Sequence, residues 1–176
     1  LWNDGKDIDK MIDKRQFNEI LSYILTDKGL NYGNTPKGLV DFHIYRDFVR
    51  TAFDEHIVEG GMYCNNGKIA RLHFTVSEEY MNLFKERLKK VTKVFEKMFN
   101  IKYEVTFSIQ KPSTDTVSLT DKGELLRDSE GKLVFRPGGH GALIYNLNEL
   151  KADIIFIKNI DNVIPDRAKG DTIKYK

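Results

Sequence analysis

Apolar positions repeat with two different periods along this chain, and the switches between them mark out its elements. From Asp7 to Leu25, Ile8, Met11, Ile12, Phe17, Ile20, Leu21, Ile24 and Leu25 recur mostly at helical spacing, and Asp27-Lys28-Gly29 supplies a stop. The composition of NYGNTPKG at 31–38 predicts a loop. YRDFVRTAFDEHIVEGG, beginning at Tyr45, predicts a second helix that ends at Gly60–Gly61. MYCNNGKIARLHFTVS then predicts a hairpin around Asn66–Gly67. In its second strand Ile69, Arg71, His73 and Thr75 alternate with Ala70, Leu72, Phe74 and Val76.

Ser77 is placed to cap the next helix, with Glu78 and Glu79 in a first turn that favours negative charge. Met81, Phe84, Leu88, Val91, Phe95 and Met98 follow at steps of three and four, an apolar stripe suited to packing on a sheet. IKYEVTFSIQ at 101–110 predicts a strand. TVSLTDKGELLRDSEGKLVFRP carries turn signals at Asp121–Gly123 and Ser129–Gly131 and predicts an antiparallel flap. A glycine-led helix over 141–149 precedes ADIIFIKNI, whose run Ile154–Ile157 predicts a central strand covered on both faces. Strands alternating with long helices predict an α/β layered fold with some antiparallel content. It is read as one domain over 1–176 that opens with a helical segment over 1–28.

Composition narrows the partners. Of the 176 residues 40% are hydrophobic, enough for one well-buried core. The 28 basic and 26 acidic side chains leave a formal charge of +2, which gives no reason to expect nucleic acid as a partner. The basic cluster KERLKKVTK at 85–93 reads as the solvated face of the third helix. Cys64 is the single cysteine, so an intrachain disulfide and a cysteine-based zinc site are excluded, and a cytoplasmic location is the natural expectation. No apolar run reaches the roughly 18–20 residues that a membrane span needs. The first residue is Leu rather than Met, which reads as an internal piece of a longer protein, so the rest of its own parent chain is an expected partner.

Four places could carry chemistry. The turn Gly138-Gly139-His140-Gly141 fails the dinucleotide fingerprint and the P-loop pattern, but a glycine-rich turn ahead of a helix offers free N–H groups to an anion. From spacing alone it reads first as a tight turn with a surface histidine. Asp161 lies just past the expected central strand, where open α/β sheets bind ligands and where a carboxylate suits Mg²⁺, although an Asp-Asn turn would look the same. Gln110 ends a strand with an amide able to read a base edge, and Lys37 could meet a phosphate or simply be solvated. His43, His56, His73 and His140 show no metal-ligand spacing, and each reads as a satisfied polar residue.

In order, TPKGL, HFTVS, FSIQKP, RPGGHGAL and IIFIKNIDN resemble the motif series of UDP-sugar pyrophosphorylases. NYGNTPKGLVDFH, QKPSTDT and FRPGGHGALIYNLN resemble more closely an uncharacterised bacterial family, a domain of unknown function distantly related to those nucleotidyltransferases. The resemblance spans residues 29–166. It implies a three-layer α/β/α sandwich with a mixed, mainly parallel sheet, here incomplete. It implies a base site made by Gln110 and the backbone of Gly138 and Gly139, with His140 and Gly141 near the ribose and phosphates. Lys37 would meet the phosphates, and Asp161 would bind Mg²⁺. The implied partners are a nucleoside triphosphate, UTP, or a nucleotide sugar, and the implied reaction joins the nucleotide to a sugar-1-phosphate with release of pyrophosphate. Residues 1–35 lack that family's glycine-rich phosphate loop, and the sugar-binding half expected after IDNVIPD is missing, so the piece alone is expected to be inactive. Two other readings stand beside this one. A non-catalytic nucleotide-binding or regulatory domain is the first; a metal-dependent glycosyltransferase is the second, disfavoured by Asn159-x-Asp161 where Asp-x-Asp is usual.

Overall fold

A computed structural model describes residues 5–175, so the first four residues of the helical segment expected over 1–28 lie outside the described ones. The chain divides into two compact units: one holds the described residues up to Glu59 together with those from Lys158 onward, and the other is Gly60–Ile157. Their elements make a mixed α/β chain with three two-stranded sheets, one parallel and two antiparallel. No described helix is long and apolar enough to cross a membrane.

The first unit begins with helices α1 (Ile8–Asp13) and α2 (Phe17–Leu25) rather than one continuous helix. The break has a backbone cause. Arg15 adopts a left-handed conformation with φ 55°, its N–H reaches Ile12, and the N–H of Gln16 reaches Met11, so the helix closes on itself before α2 opens. Asp7 caps α1 by accepting the Lys10 N–H at 3.2 Å. Strands β1 (Asp41–Ile44) and β2 (Val49–Thr51) pair antiparallel, with a bulge between Asp41 and His43.

The segment from Tyr45, expected as helix throughout, therefore starts as a hairpin and strand, and α3 begins only at Ala52. Two local bonds set that boundary. Thr51 Oγ1 accepts the Asp54 N–H at 3.2 Å while Asp54 Oδ2 accepts the Thr51 N–H at 2.9 Å, a reciprocal cap of the Thr-x-x-acid kind. Helix α3 then runs Ala52–Tyr63, and the division between the units falls within it.

In the second unit, Gly60 and Gly61 continue α3 instead of stopping it. A Cβ on Gly60 would sit 2.6 Å from Leu72 Cδ2, and one on Gly61 would sit 2.1 Å from the Tyr103 hydroxyl. The pair is there for close packing. Because the helix extends to Tyr63, the expected hairpin loses its first strand. The Asn66–Gly67 turn survives, with Gly67 at φ 85°, and one isolated antiparallel bridge joins Asn65 to Ala70.

Strand β3 (Ile69–Val76) pairs in parallel with β4 (Lys102–Ile109), in unbroken register from Ile69 opposite Lys102 to Val76 opposite Ile109. Helix α4 (Met81–Phe99) makes the crossover and ends on Asn100 in the left-handed conformation at φ 54°. Phe84, Val91 and Phe95 of the predicted stripe are buried; Met98 is exposed, because the helix ends within one turn of it. Beyond β4, strands β5 (Thr116–Val117) and β6 (Phe135–Arg136) pair antiparallel, and bridges Leu119–Leu125 and Arg127–Leu133 extend the predicted flap. Gly123 and Gly131, both at φ 79°, make its turns.

The glycine-led helix reduces to a single turn, His140–Leu143, and the short α5 (Ile144–Leu147). The largest departure is Ile154–Ile157. It is not a buried strand but irregular chain, with side chains between 39% and 76% exposed. A strand exists only where a neighbour accepts its ladder, and among the described strands β3 and β4 pair with one another and with no third. Helix α6 (Lys169–Lys174) closes the first unit.

Candidate functional site

Lys37 and Asp161, 124 positions apart in sequence, meet as an ion pair of 2.5 Å in the first unit. Their side chains are 65% and 41% exposed, so both remain open to solvent. Pro36, at φ −63°, leads into the turn Lys37–Leu39 that presents the ammonium. Asp161 stands in a turn closed by the Asn162 N–H on the Asn159 carbonyl at 3.0 Å. Helix α3 holds that turn through two side chains one helical step apart. His56 Nε2 lies 3.1 and 3.0 Å from the carbonyls of Asn159 and Ile160, acceptors only, so this nitrogen carries the hydrogen. Burial holds the His56 imidazole below its ordinary pKa, which keeps it neutral. Glu59, three residues on, takes Lys158 Nζ at 2.5 Å.

Also in the first unit, a buried carboxylate gathers four donors. Glu55, wholly buried, accepts from His43 Nδ1 at 2.9 Å and the Tyr45 hydroxyl at 2.7 Å on one oxygen, and from Lys169 Nζ at 2.7 Å and Arg50 Nη1 at 3.4 Å on the other. Arg50 also reaches Asp166 at 2.6 Å. Burial alone would raise the Glu55 carboxyl, but the bonds from Lys169, Tyr45 and His43 outweigh it and hold it below the usual carboxylate range. The Tyr45 hydroxyl is pushed up to about 12, first by burial and then by its bond to that anion. This cluster ties the segment from Asp166 to Lys169 to β1, β2 and α3.

The second unit carries a different polar cluster, on one face of the parallel pair. The alternation in β3 and β4 puts Arg71, His73 and Thr75 beside Glu104, Thr106 and Ser108, and Gln110 continues the row. His73 bridges Thr106 Oγ1 and Ser108 Oγ, at 2.8 Å from each ring nitrogen, and Thr75 Oγ1 lies 3.1 Å from Ser108. Burial lowers the His73 pKa, so the ring is a neutral link in this row. Asn146 of α5 donates through Nδ2 to Ser108 Oγ at 2.9 Å and to the Ile109 carbonyl at 2.8 Å. Its Oδ1 is buried and has no hydrogen-bond partner, and the same is true of Gln110 Nε2.

Gly138 lies against that amide. A Cβ there would sit 2.6 Å from the Thr114 carbonyl and 3.5 Å from Gln110 Nε2, so a side chain at this position would collide with the backbone. Gly139, His140 and Gly141 are exposed, and at Gly139 and Gly141 a Cβ would meet nothing within 4 Å. The turn they open is too short to carry a helix dipole of any consequence, so the anion site expected there rests on individual N–H groups.

Within the first unit Lys37 and Asp161 thus come together, and within the second Gly138 lies beside the Gln110 amide. Among the described residues no group of three or more His, Cys, Asp or Glu side chains is arranged to hold a metal ion. Asn146, Ser108, Thr75 and His73 were missed as members of a site. The alternation of β3 was visible, but nothing in the sequence links Asn146 to a serine 38 positions earlier.

The fold and its polar sheet face define a mixed α/β chain built on a β–α–β crossover. The family model of DUF4301, a domain of unknown function, matches residues 1–176, and the chain belongs to that family. No curated protein and no solved structure matches it.

Proposed function

We propose that this chain is the nucleotide-holding part of a nucleotidyltransferase of the sugar-1-phosphate class, with UTP as its nucleotide. The Lys37–Asp161 pair is the observation that carries the reading. A cation suited to phosphate and an anion suited to a divalent metal are brought together from distant parts of the chain and left accessible. One carboxylate fits Mg²⁺, which takes one or two carboxylates and completes its shell with phosphate oxygens and water. Mg²⁺ held by Asp161 would neutralise charge at the α-phosphate. Lys37 would leave the carboxylate for the phosphates; the resemblance gives the base to Gln110 and the backbone of Gly138 and Gly139, with His140 and Gly141 beside it. The sugar-1-phosphate oxygen would then attack the α-phosphorus in line, forming one P–O bond as the bond to pyrophosphate breaks.

On this reading β3–α4–β4 is the kernel of a three-layer α/β/α sandwich in a cytoplasmic protein. A second reading, nucleotide or nucleotide-sugar binding without turnover, draws on the absence of a glycine-rich phosphate loop from residues 1–35.

Calorimetric titration of the full-length protein with UTP, with and without Mg²⁺, tests the proposal. Asp161→Ala should abolish the Mg²⁺ dependence and weaken UTP about tenfold or more, the scale of a lost charge-assisted contact. Unchanged binding would remove the metal role. Pyrophosphate release with a sugar-1-phosphate then separates the enzyme from the binding domain.

A further inference from the structure

The two polar atoms left unsatisfied beside the end of β4 are complementary: Gln110 Nε2 is a donor and Asn146 Oδ1 is an acceptor. Buried polar groups are almost always paired, so two orphans in neighbouring positions need an explanation. Asn146 is 3% exposed, and its orientation is not arbitrary. The Ile109 carbonyl can only accept, so Nδ2 must face it, and Oδ1 is turned away with nothing to bond. Pairing the two amides directly by rotating Asn146 would forfeit its bonds to Ile109 and Ser108.

Ser108 fixes the same orientation from the other side. Thr106 Oγ1 donates to the Leu72 carbonyl at 3.5 Å, so it can accept from His73 Nδ1–H, which leaves Nε2 as an acceptor for the Ser108 hydroxyl. The Ser108 oxygen is then free to accept from Asn146. The whole row, from Leu72 to Asn146, aims one carbonyl oxygen at an absent donor.

We propose that Asn146 is a specificity residue of the nucleotide site, accepting a hydrogen bond from a ring N–H of the base while Gln110 Nε2 donates to the adjacent base carbonyl. This rests on the reading of Gln110 as a base contact, and it narrows the ligand to a base that presents a C=O beside an N–H, as uracil does at N3. Beyond Gly138 the turn is not packed in: at Gly139 and Gly141 a Cβ would meet nothing within 4 Å.

The probe pair is UMP and N3-methyl-UMP, titrated into the full-length protein by calorimetry. They share phosphate, ribose and both carbonyls, and differ in the one hydrogen assigned to Asn146. UMP should bind about tenfold more tightly, the scale set when a buried acceptor is left unpaired. Asn146→Ala should erase that difference, whereas Ser108→Ala, which loosens the amide without touching Oδ1, should keep it. Circular dichroism checks that each variant is folded. Equal affinity of the native protein for the two ligands, or discrimination that survives Asn146→Ala, would overturn the role of Asn146 alone. Failure of both ligands to bind the native protein would overturn the base-binding reading, and this inference with it.

Discussion

Two buried polar side chains, Glu55 in the first unit and Asn146 in the second, are 0% and 3% exposed and differ in how far they are satisfied. Each oxygen of Glu55, on α3, accepts two donors, and the bonds come from β1, β2 and α6 or the residues beside them. Asn146 spends its amino group twice and its carbonyl not at all. A carboxylate surrounded in this way has no capacity left for a ligand, and what it does is hold chain segments together. An amide with one end fixed and the other vacant has capacity and a direction. Burial of a polar group therefore accompanies a fully bonded structural role at Glu55, and at Asn146 it leaves one acceptor unbonded, the observation behind the recognition role proposed for it.

The contrast can be broken most severely at Glu55. Glu55→Ala strands Lys169 and Arg50 without their buried counter-charge, and this should destabilise the protein by about 3–5 kcal/mol, read as a shift of the urea midpoint. Asn146→Ala should cost less, about 1–3 kcal/mol by the same measurement, because it removes two neutral bonds and no charge. Equal losses would mean that the Asn146 cluster is as structural as the other.

The pH dependence of stability sharpens the comparison. Glu55 is held below its ordinary pKa in the fold, so its contribution is present above the usual carboxylate range and is lost as pH falls through its lowered folded value. Tyr45 behaves oppositely. Its hydroxyl is raised to about 12, so its contribution is complete below its unfolded pKa and disappears as pH rises through 12. Tyr45→Phe should flatten the alkaline limb of a stability–pH curve and, because Tyr45 is one of the donors that hold Glu55 low, shrink the acid limb only in part. At the small end is the exposed pair Arg71–Glu104, 2.8 Å apart on the sheet face. Arg71→Ala should change stability by less than about 1 kcal/mol.

Those sensitivities follow how much of the molecule was legible in its sequence. The parallel pair with α4 between its strands was half visible: the Phe84–Phe95 stripe and the alternation of β3 are local patterns, and local patterns survive folding. The Thr51–Asp54 cap is legible too, a Thr three residues ahead of an Asp, but the helical spacing around it extends in both directions and masks it. Ile154–Ile157 misled for a deeper reason. Its composition is that of a covered strand, yet strand formation depends on a partner edge that no residue of the segment encodes. Lys37, Gln110 and Asp161 stand out by residue type and by their places at turns and strand ends, and the resemblance adds roles, but neither supplies contacts. Asn146 was hidden because its environment is assembled from Ser108 and Ile109, residues that a reading by windows never sets beside it.

The diglycine at 60–61 leaves its own trace for comparison across the family. With Leu72 and the Tyr103 hydroxyl closer to those backbone atoms than any methyl could tolerate, neither side of the contact can drift alone. A relative bearing alanine at 61 should also have exchanged the tyrosine for a shorter ring, and one bearing alanine at 60 should have trimmed the leucine. Substitutions at these four positions are expected to travel through evolution in pairs.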